Sequence, residues 1–368
     1  MPVRFEMAQQ SDEPALRCLM TEVSLGRMLQ VTFRREPDFF LASRVQGRFV
    51  QVGVARHSYT GEIIGCATRT VRTGFLNGRV EPVGYIGDLR LTAKYRSGTI
   101  LARGYQHFRQ LHQDGRALLY VTVIFENNRV ALQTIASGRA GLPTYHDIGR
   151  LLSPAICLTR RRPHLAVSTE IVTGEPRLLP EIVACLNRYG SRRQFAPYYT
   201  VEDFLFGDRW LYNVHVENLY IAIRNKRVVG VIGRWDQRSF KQTVIERYDG
   251  PLRFLHPIVR LGSALGVCPS LPRPKSPVNA CYASFLAADD DDLGVAQALL
   301  QRAYNDAVQA GYKYLFIGLH EQDPLVGVLR GYRQVPFTAR LFCVYFEDGK
   351  AAYERLDNRV PSIEIAML

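Results

Sequence analysis

Apolar and polar positions along the first half of the chain predict a meander followed by alternating helices and strands. Ser11-Asp12-Glu13-Pro14 sets an N-cap candidate and a proline ahead of Ala15, Leu16, Leu19 and Met20, so a helix starts there. Residues 33–40, with Pro37 among aromatics, read as a loop leading into a short helix. Residues 49–55 and 63–71 are rich in β-branched side chains and flank the turn at Thr60-Gly61, which signals an antiparallel hairpin. A second turn, at Asn77-Gly78, leads to a strand ending at residues 86–91. Leu101, Tyr105, Phe108 and Leu111 are spaced as on one helix face. Residues 117–125 form a nearly continuous apolar run of strand length, the pattern of a strand covered on both sides. A short helix over 129–137 and a last strand over 144–157 complete this half.

The second half repeats the plan loosely. Helices are expected around 180–189 and 200–206, a hairpin over 219–224 and 228–234, a strand over 279–287, a helix over 293–309, and strands over 314–319 and 338–346. An insertion, 236–278, carries Pro251, Pro257, Pro269, Pro272, Pro274 and Pro277, which argues against regular sheet. Residues 252–265 can be helical, and the segment reads as a lid, an interdomain strap or decoration. The expected class is α/β (α+β): two tandem domains, 1–160 and 161–368, each a mixed, mostly antiparallel sheet flanked by helices.

Composition narrows this picture modestly. A chain of 368 residues exceeds what one core usually organises. No apolar run approaches the roughly 20 residues of a membrane helix, and the N-terminus lacks a signal-peptide pattern, so a soluble, cytoplasmic protein without membrane insertion is expected. The seven cysteines are scattered and include no Cys-x-x-Cys pair, which argues against disulfides and against a zinc site, so no metal is expected. A formal charge of +13 attracts anions, whether nucleic acid, acidic lipid or a phosphorylated cofactor. The densest basic run, Arg160-Arg161-Arg162, lacks interleaved aromatics and reads as a solvated junction, so nucleic acid is the weaker choice of partner.

The stretch from Tyr85 to Leu101 holds the candidate chemistry, because a strand that turns directly into a helix aims unpartnered N–H groups at a bound phosphate. Gly98 lets the backbone approach; Ser97 or Thr99 can cap. Three local patterns, Ile86-Gly87-Asp88-Leu89-Arg90-Leu91, Ala93-Lys94-Tyr95-Arg96-Ser97-Gly98-Thr99-Ile100 and Asn128-Arg129-Val130-Ala131, together with the element order, resemble the GCN5-related N-acetyltransferase family. They match its fourth strand, its pyrophosphate loop and the start of the helix after its fifth strand. The loop departs from the family pattern, with Thr99 and Leu101 at the small-residue positions and Gly98 displaced by one.

The resemblance implies an N-acetyltransferase with acetyl-CoA, or another acyl-CoA, as cosubstrate. The pantetheine arm would lie along the backbone of Leu89, Arg90 and Leu91, and the pyrophosphate at Arg96, Ser97, Gly98, Thr99, Ile100 and Leu101, with Asn128 nearby. An amine-bearing acceptor, small molecule or peptide, would attack the thioester directly, with Asp88 as base and Glu126 as second choice. Asp88 also reads as a structural carboxylate, and Glu126 as a helix-start residue. Thr134 and Ile135 occupy the neighbourhood of the family's acidic tyrosine, which Tyr145 could replace. In the second half, Asp289-Asp290-Asp291-Asp292 would repel pyrophosphate and reads as a helix cap, so this half is expected to be a degenerate copy. His320-Glu321-x-Asp323 is either an acceptor-orienting cluster or a solvated loop. A non-catalytic module, CoA-responsive or nucleic-acid-binding, is the alternative.

Overall fold

Asn77 and Gly78 both take positive φ, 52° and 77°, the conformation of a two-residue turn whose twist matches the strands it joins. The strands on either side, Ile63–Leu76 and Arg79–Leu91, form the longest ladder among the described residues. The computed structural model describes residues 2–22, 29–96, 99–135, 142–163, 165, 169–206, 210–250 and 271–368. Across them run three sheets, mostly antiparallel and flanked by helices.

The first sheet has eight strands in the order Val3–Met7, Phe49–His57, Ile63–Leu76, Arg79–Leu91, Leu119–Phe125, Thr338–Tyr345, Thr144–Leu152 and Leu319–His320. The second has seven: Gln334–Val335, Ala155–Cys157, Tyr314–Phe316, Ala280–Ala288, Arg227–Trp235, Leu219–Arg224 and Glu170–Thr173. The halves of the chain therefore exchange strands. Thr338–Tyr345 pairs with both Leu119–Phe125 and Thr144–Leu152, while Ala155–Cys157 pairs with Tyr314–Phe316.

Two sequence expectations change. The strand expected over 144–157 breaks at Ser153-Pro154, where proline has no N–H for a ladder, and the two pieces enter different sheets. The insertion does contain regular sheet: Gln242–Tyr248 pairs at six positions with Leu29–Arg34, and Ser276–Pro277 joins its other edge. The reason is positional. The long pairing lies ahead of Pro251, and Pro277 sits at a sheet edge, where its missing donor costs no bond. This three-stranded sheet straps the insertion across to the first half. The helix expected over 252–265 lies outside the described residues.

Side-chain alternation gives the eight-stranded sheet two covered faces. Ile86, Tyr120, Phe342 and Val344 pack with Phe108 of the helix Ile100–His112. Tyr85, Val121, Leu341 and Cys343 pack instead with Ile363 and Ile365 near the C-terminus. No helix among the described residues is long and apolar enough to cross a membrane.

Arg79–Leu91 and Leu119–Phe125 run parallel and meet at only two register positions, Gly84 with Tyr120 and Tyr85 with Val121. The contact needs glycine. A Cβ on Gly84 would stand 2.0 Å from Tyr120 Cδ1, and the Tyr120 hydroxyl is already held by His112 Nδ1 at 2.8 Å and by Arg69 Nε, which donates to it at 3.1 Å. Gly84→Ala should thus destabilise the fold by about 1–3 kcal/mol, seen as a lower urea midpoint with unchanged slope.

Candidate active site

Beyond Tyr85 and Val121 the two parallel strands diverge, and a cavity of about 280 Å³ occupies the wedge. Tyr105, Ala131 and Tyr145 line it on the side of helix Ile100–His112, and Val31, Phe33, Lys241, Tyr282 and Phe316 on the side of the second half. A bulge sits where the strands part. Cys66 pairs with Arg90 and Thr68 with Gly87, so Asp88 and Leu89 together oppose the single residue Ala67. Asp88 takes a φ of 52°, and the bulge turns its carboxylate toward the face that carries Thr68.

That carboxylate is fully engaged. Oδ1 accepts from Arg35 Nη2 at 2.5 Å, and Oδ2 from Gln46 Nε2 and Thr68 Oγ1, each at 2.9 Å. Its side chain is 8% exposed and that of Arg35 3%. Burial alone would raise its pKa, but the Arg35 guanidinium, Arg90 and Gln46 outweigh it and hold Asp88 at about 2. A carboxylate so held is a weak proton acceptor and a strong anchor.

Leu89, Arg90 and Leu91 follow along the diverging strand, half-buried, and Arg90 Nη1 donates to Leu89 O at 3.1 Å. Arg96 is exposed, and its Nε donates to Leu91 O at 3.0 Å, which folds the turn back on the strand end. Ser97 and Gly98 lie outside the described residues. Thr99 stands at the N-cap of helix Ile100–His112 without capping it by its side chain; Ile100 is buried and Leu101 half-buried. A helix of this length leaves its opening N–H groups free for an anion. Asn128 caps the next helix, Arg129–Ile135, its Oδ1 accepting from Ala131 N at 3.2 Å, and also lines the cavity.

Glu126 is not among the lining residues and pairs with Arg150 at 3.0 Å. Tyr145 does reach the cavity, where its hydroxyl meets that of Tyr105 at 2.5 Å. Burial pushes the Tyr105 hydroxyl up to about 12 and the Tyr145 hydroxyl well above its ordinary value, so both stay protonated at neutral pH.

Two residues that sequence reasoning passed over complete the site. Arg35 lies in the polar break after Leu29–Arg34, where Arg34-Arg35 ahead of Pro37 and two phenylalanines was the available signal. Lys241 immediately precedes the strap strand, and nothing in its local sequence marks it. It is buried, and its Nζ donates to the main-chain oxygens of Leu368 and, at 3.3 Å, of Ala366. Burial, helped by Arg35 and opposed by Asp88 and Glu364, lowers its pKa to about 7. A lysine in this state is part neutral at physiological pH.

The second half repeats the geometry and closes it. Ala280–Ala288 pairs in parallel with Tyr314–Phe316, and Phe285 takes a φ of 61° at a bulge opposite Arg227–Trp235. Here the wedge is filled from within: Phe285 N donates to Glu364 Oε2 at 2.8 Å, and a cavity of only about 50 Å³ is left. Where the pyrophosphate turn would stand, Asp292 caps the helix Leu293–Gln309 by accepting from Val295 N at 3.1 Å, and Asp289 and Asp291 pair with Arg188 and Arg193. His320 and Asp323 are buried in internal hydrogen bonds to Ile148 O and from Tyr189 Oη. Among the described residues no group of three or more His, Cys, Asp or Glu is placed to hold a metal ion.

No family model matches the sequence, and no curated protein matches it significantly. Solved structures do match. The glucosamine N-acetyltransferase region of a fungal multi-domain GH3 β-N-acetylglucosaminidase aligns with a TM-score of 0.64 at 11% identity, over 93% of this chain, which spans 38% of that one. A GCN5-related N-acetyltransferase from Sphaerobacter thermophilus aligns with a TM-score of 0.55 at 12% identity, over 99% of this chain and 98% of that one. Saccharomyces cerevisiae N-myristoyltransferase with bound myristoyl-CoA aligns with a TM-score of 0.60 at 10% identity, over 94% and 79%. These likenesses establish the fold: the chain is built as the GCN5-related N-acetyltransferases are, over nearly its whole length.

Proposed function

We propose that the chain is an acyl-CoA-dependent N-acyltransferase whose cofactor cradle lies in residues 1–160, with residues 161–368 a degenerate copy that walls the acceptor side and sends the insertion 236–278 across it. The observation that carries this reading is the open wedge between Arg79–Leu91 and Leu119–Phe125, bulged at its mouth and followed by a basic turn into a helix. The pantetheine arm extends along the backbone of Leu89, Arg90 and Leu91. Arg96, Thr99 and the opening N–H groups of Ile100 and Leu101 receive the pyrophosphate.

In transfer, the acceptor amine attacks the thioester carbon as its proton passes to Lys241. The C–N bond forms, the C–S bond breaks, and Tyr145, kept protonated by burial, donates a hydrogen bond to the departing sulfur. Main-chain N–H groups at the bulge polarise the carbonyl. Asp88 holds Arg35 and the bulge in place. Acetyl is the acyl group this reading starts from, with longer acyl-CoA thioesters as the comparison.

Thermal shift tests the reading. Acetyl-CoA at 100 times its Kd should stabilise the fold by about 2.7 kcal/mol, and Arg96→Glu should abolish the shift. No shift with acetyl-CoA or with a long-chain acyl-CoA, both at saturating concentration, overturns it.

A further inference from the structure

The charges around the cavity do not balance. Its lining residues include Arg35 and Arg90 and a single side-chain carboxylate, that of Asp88. Arg35 is 3% exposed; its Nη2 is taken by Asp88 and its Nη1 donates to Ala42 O at 3.3 Å, but its buried Nε has no partner among the described residues. The buried Nε of Arg90 is unpartnered in the same way. Two arginines thus face one side-chain carboxylate, while Lys241 is turned to the main-chain oxygens of Ala366 and Leu368. A buried cation without a counter-ion is costly unless the site is built to receive one.

Acyl-CoA does not supply that anion in this place. The pantetheine arm and an acetyl group are uncharged, and the pyrophosphate belongs at the helix turn. The missing negative charge is therefore on the other substrate. The walls on the side of the second half carry, beside Lys241 and Thr243, the apolar and aromatic side chains of Val31, Phe33, Tyr282 and Phe316, with Tyr282 and Phe316 in ring contact at 5.4 Å. No unengaged carboxylate among the lining residues stands ready for a second ammonium, which disfavours polyamines and aminosugars.

We infer that the acceptor is a free α-amino acid with an apolar or aromatic side chain, its carboxylate held by Arg35 and Arg90, its amine presented to the thioester, and its side chain against Phe33, Tyr282 and Phe316. Amine and carboxylate must sit on one small molecule, because a cavity of about 280 Å³ also admits the thioester arm. The inference rests on the acyltransfer reading for the reaction, and on the cavity alone for the ligand.

The test uses the full chain. CoA release from acetyl-CoA is measured with L-phenylalanine, L-leucine, phenethylamine, spermidine and glucosamine, and from succinyl-CoA with phenethylamine. Binding of L-phenylalanine and phenethylamine to the protein saturated with CoA is followed by calorimetry. The expected kcat/KM for L-phenylalanine or L-leucine exceeds that for phenethylamine by about 10²-fold, the scale of a buried charge pair, and Arg90→Gln brings the ratio below about 10. Because Arg35 variants risk the fold, Arg90→Gln and the missing carboxylate of phenethylamine carry the test. Equal use of phenethylamine, a preference for spermidine or glucosamine, or faster reaction of succinyl-CoA with phenethylamine overturns the inference while the transferase reading stands. Binding of L-phenylalanine tighter than phenethylamine with no CoA release supports the ligand assignment and sinks the transferase reading instead. No L-phenylalanine binding and no turnover of either amino acid overturns the inference.

Discussion

Lys241→Met should lower acyl transfer by about 10²- to 10⁴-fold, the contribution of a positioned proton acceptor, and should remove the rising limb of the rate near pH 7. The sign follows from the state of the lysine. Below about pH 7 the ammonium has no lone pair, so the wild-type rate climbs as pH rises through that value and then levels. Stability should rise with pH as well, but over a higher window than activity. The folded pKa lies far below the value near 10.4 of an unfolded lysine, so protonation opposes folding. That cost is absent above the unfolded pKa, grows as pH falls toward about 7, and is constant below it. Methionine has no charge to bury, so the variant should melt no lower than wild type at pH 7, and acetyl-CoA should still shift its melting temperature. A pH–rate profile and thermal melts of the two proteins check this. A variant that keeps both the rate and the rising limb removes Lys241 from the mechanism.

Asp88→Ala should cost about 3–5 kcal/mol of stability at pH 7, because Arg35 would be left as a buried charge whose main partner is gone. Asp88→Asn keeps the shape and loses the charge, and it separates anchor from base. In an anchor role, transfer per folded molecule falls by less than about tenfold while the urea midpoint drops; a loss beyond about 10² with an unchanged midpoint would instead make Asp88 the proton acceptor. The pH dependence is distinct from that of Lys241. A carboxylate with a depressed folded pKa stabilises above its unfolded value near 3.9, and that stability is lost as pH falls through about 2. Between about pH 4 and 2 the wild type should therefore lose stability that Asp88→Asn never had, as measured by urea titrations across that window.

Both predictions depend on placements that one-dimensional patterns do not contain. The hairpin at Asn77-Gly78, the amphipathic helix through Tyr105 and Phe108, and the apolar strand through Tyr120 and Val121 were legible because each is set by neighbours a few residues apart. The capping role of Asp292 was readable for the same reason. The strap strand Gln242–Tyr248 was not, because its partner Leu29–Arg34 lies more than 200 residues away and the prolines that follow it dominate the local pattern. The break at Pro154 was visible as a proline, but not that it sends Ala155–Cys157 into the other sheet.

The sequence by itself determined the hairpins, the amphipathic helices and the apolar strands of the two halves, the basic turn into a helix at Arg96 and Thr99 in the first, and the acidic turn that caps the helix Leu293–Gln309 in the second. Only the tertiary structure decided what the polar groups between them do. Whether Asp88 is a base or an anchor turns on Arg35, 53 residues upstream, and on Gln46. Lys241 acquires its lowered pKa from burial beside Arg35, and Glu364 closes the second wedge from near the chain's other end. The physical reason is common to all three. Local conformation is fixed by short-range sterics and hydrogen bonds, whereas the proton affinity of a buried group is set by whichever charges and desolvating atoms the fold packs around it.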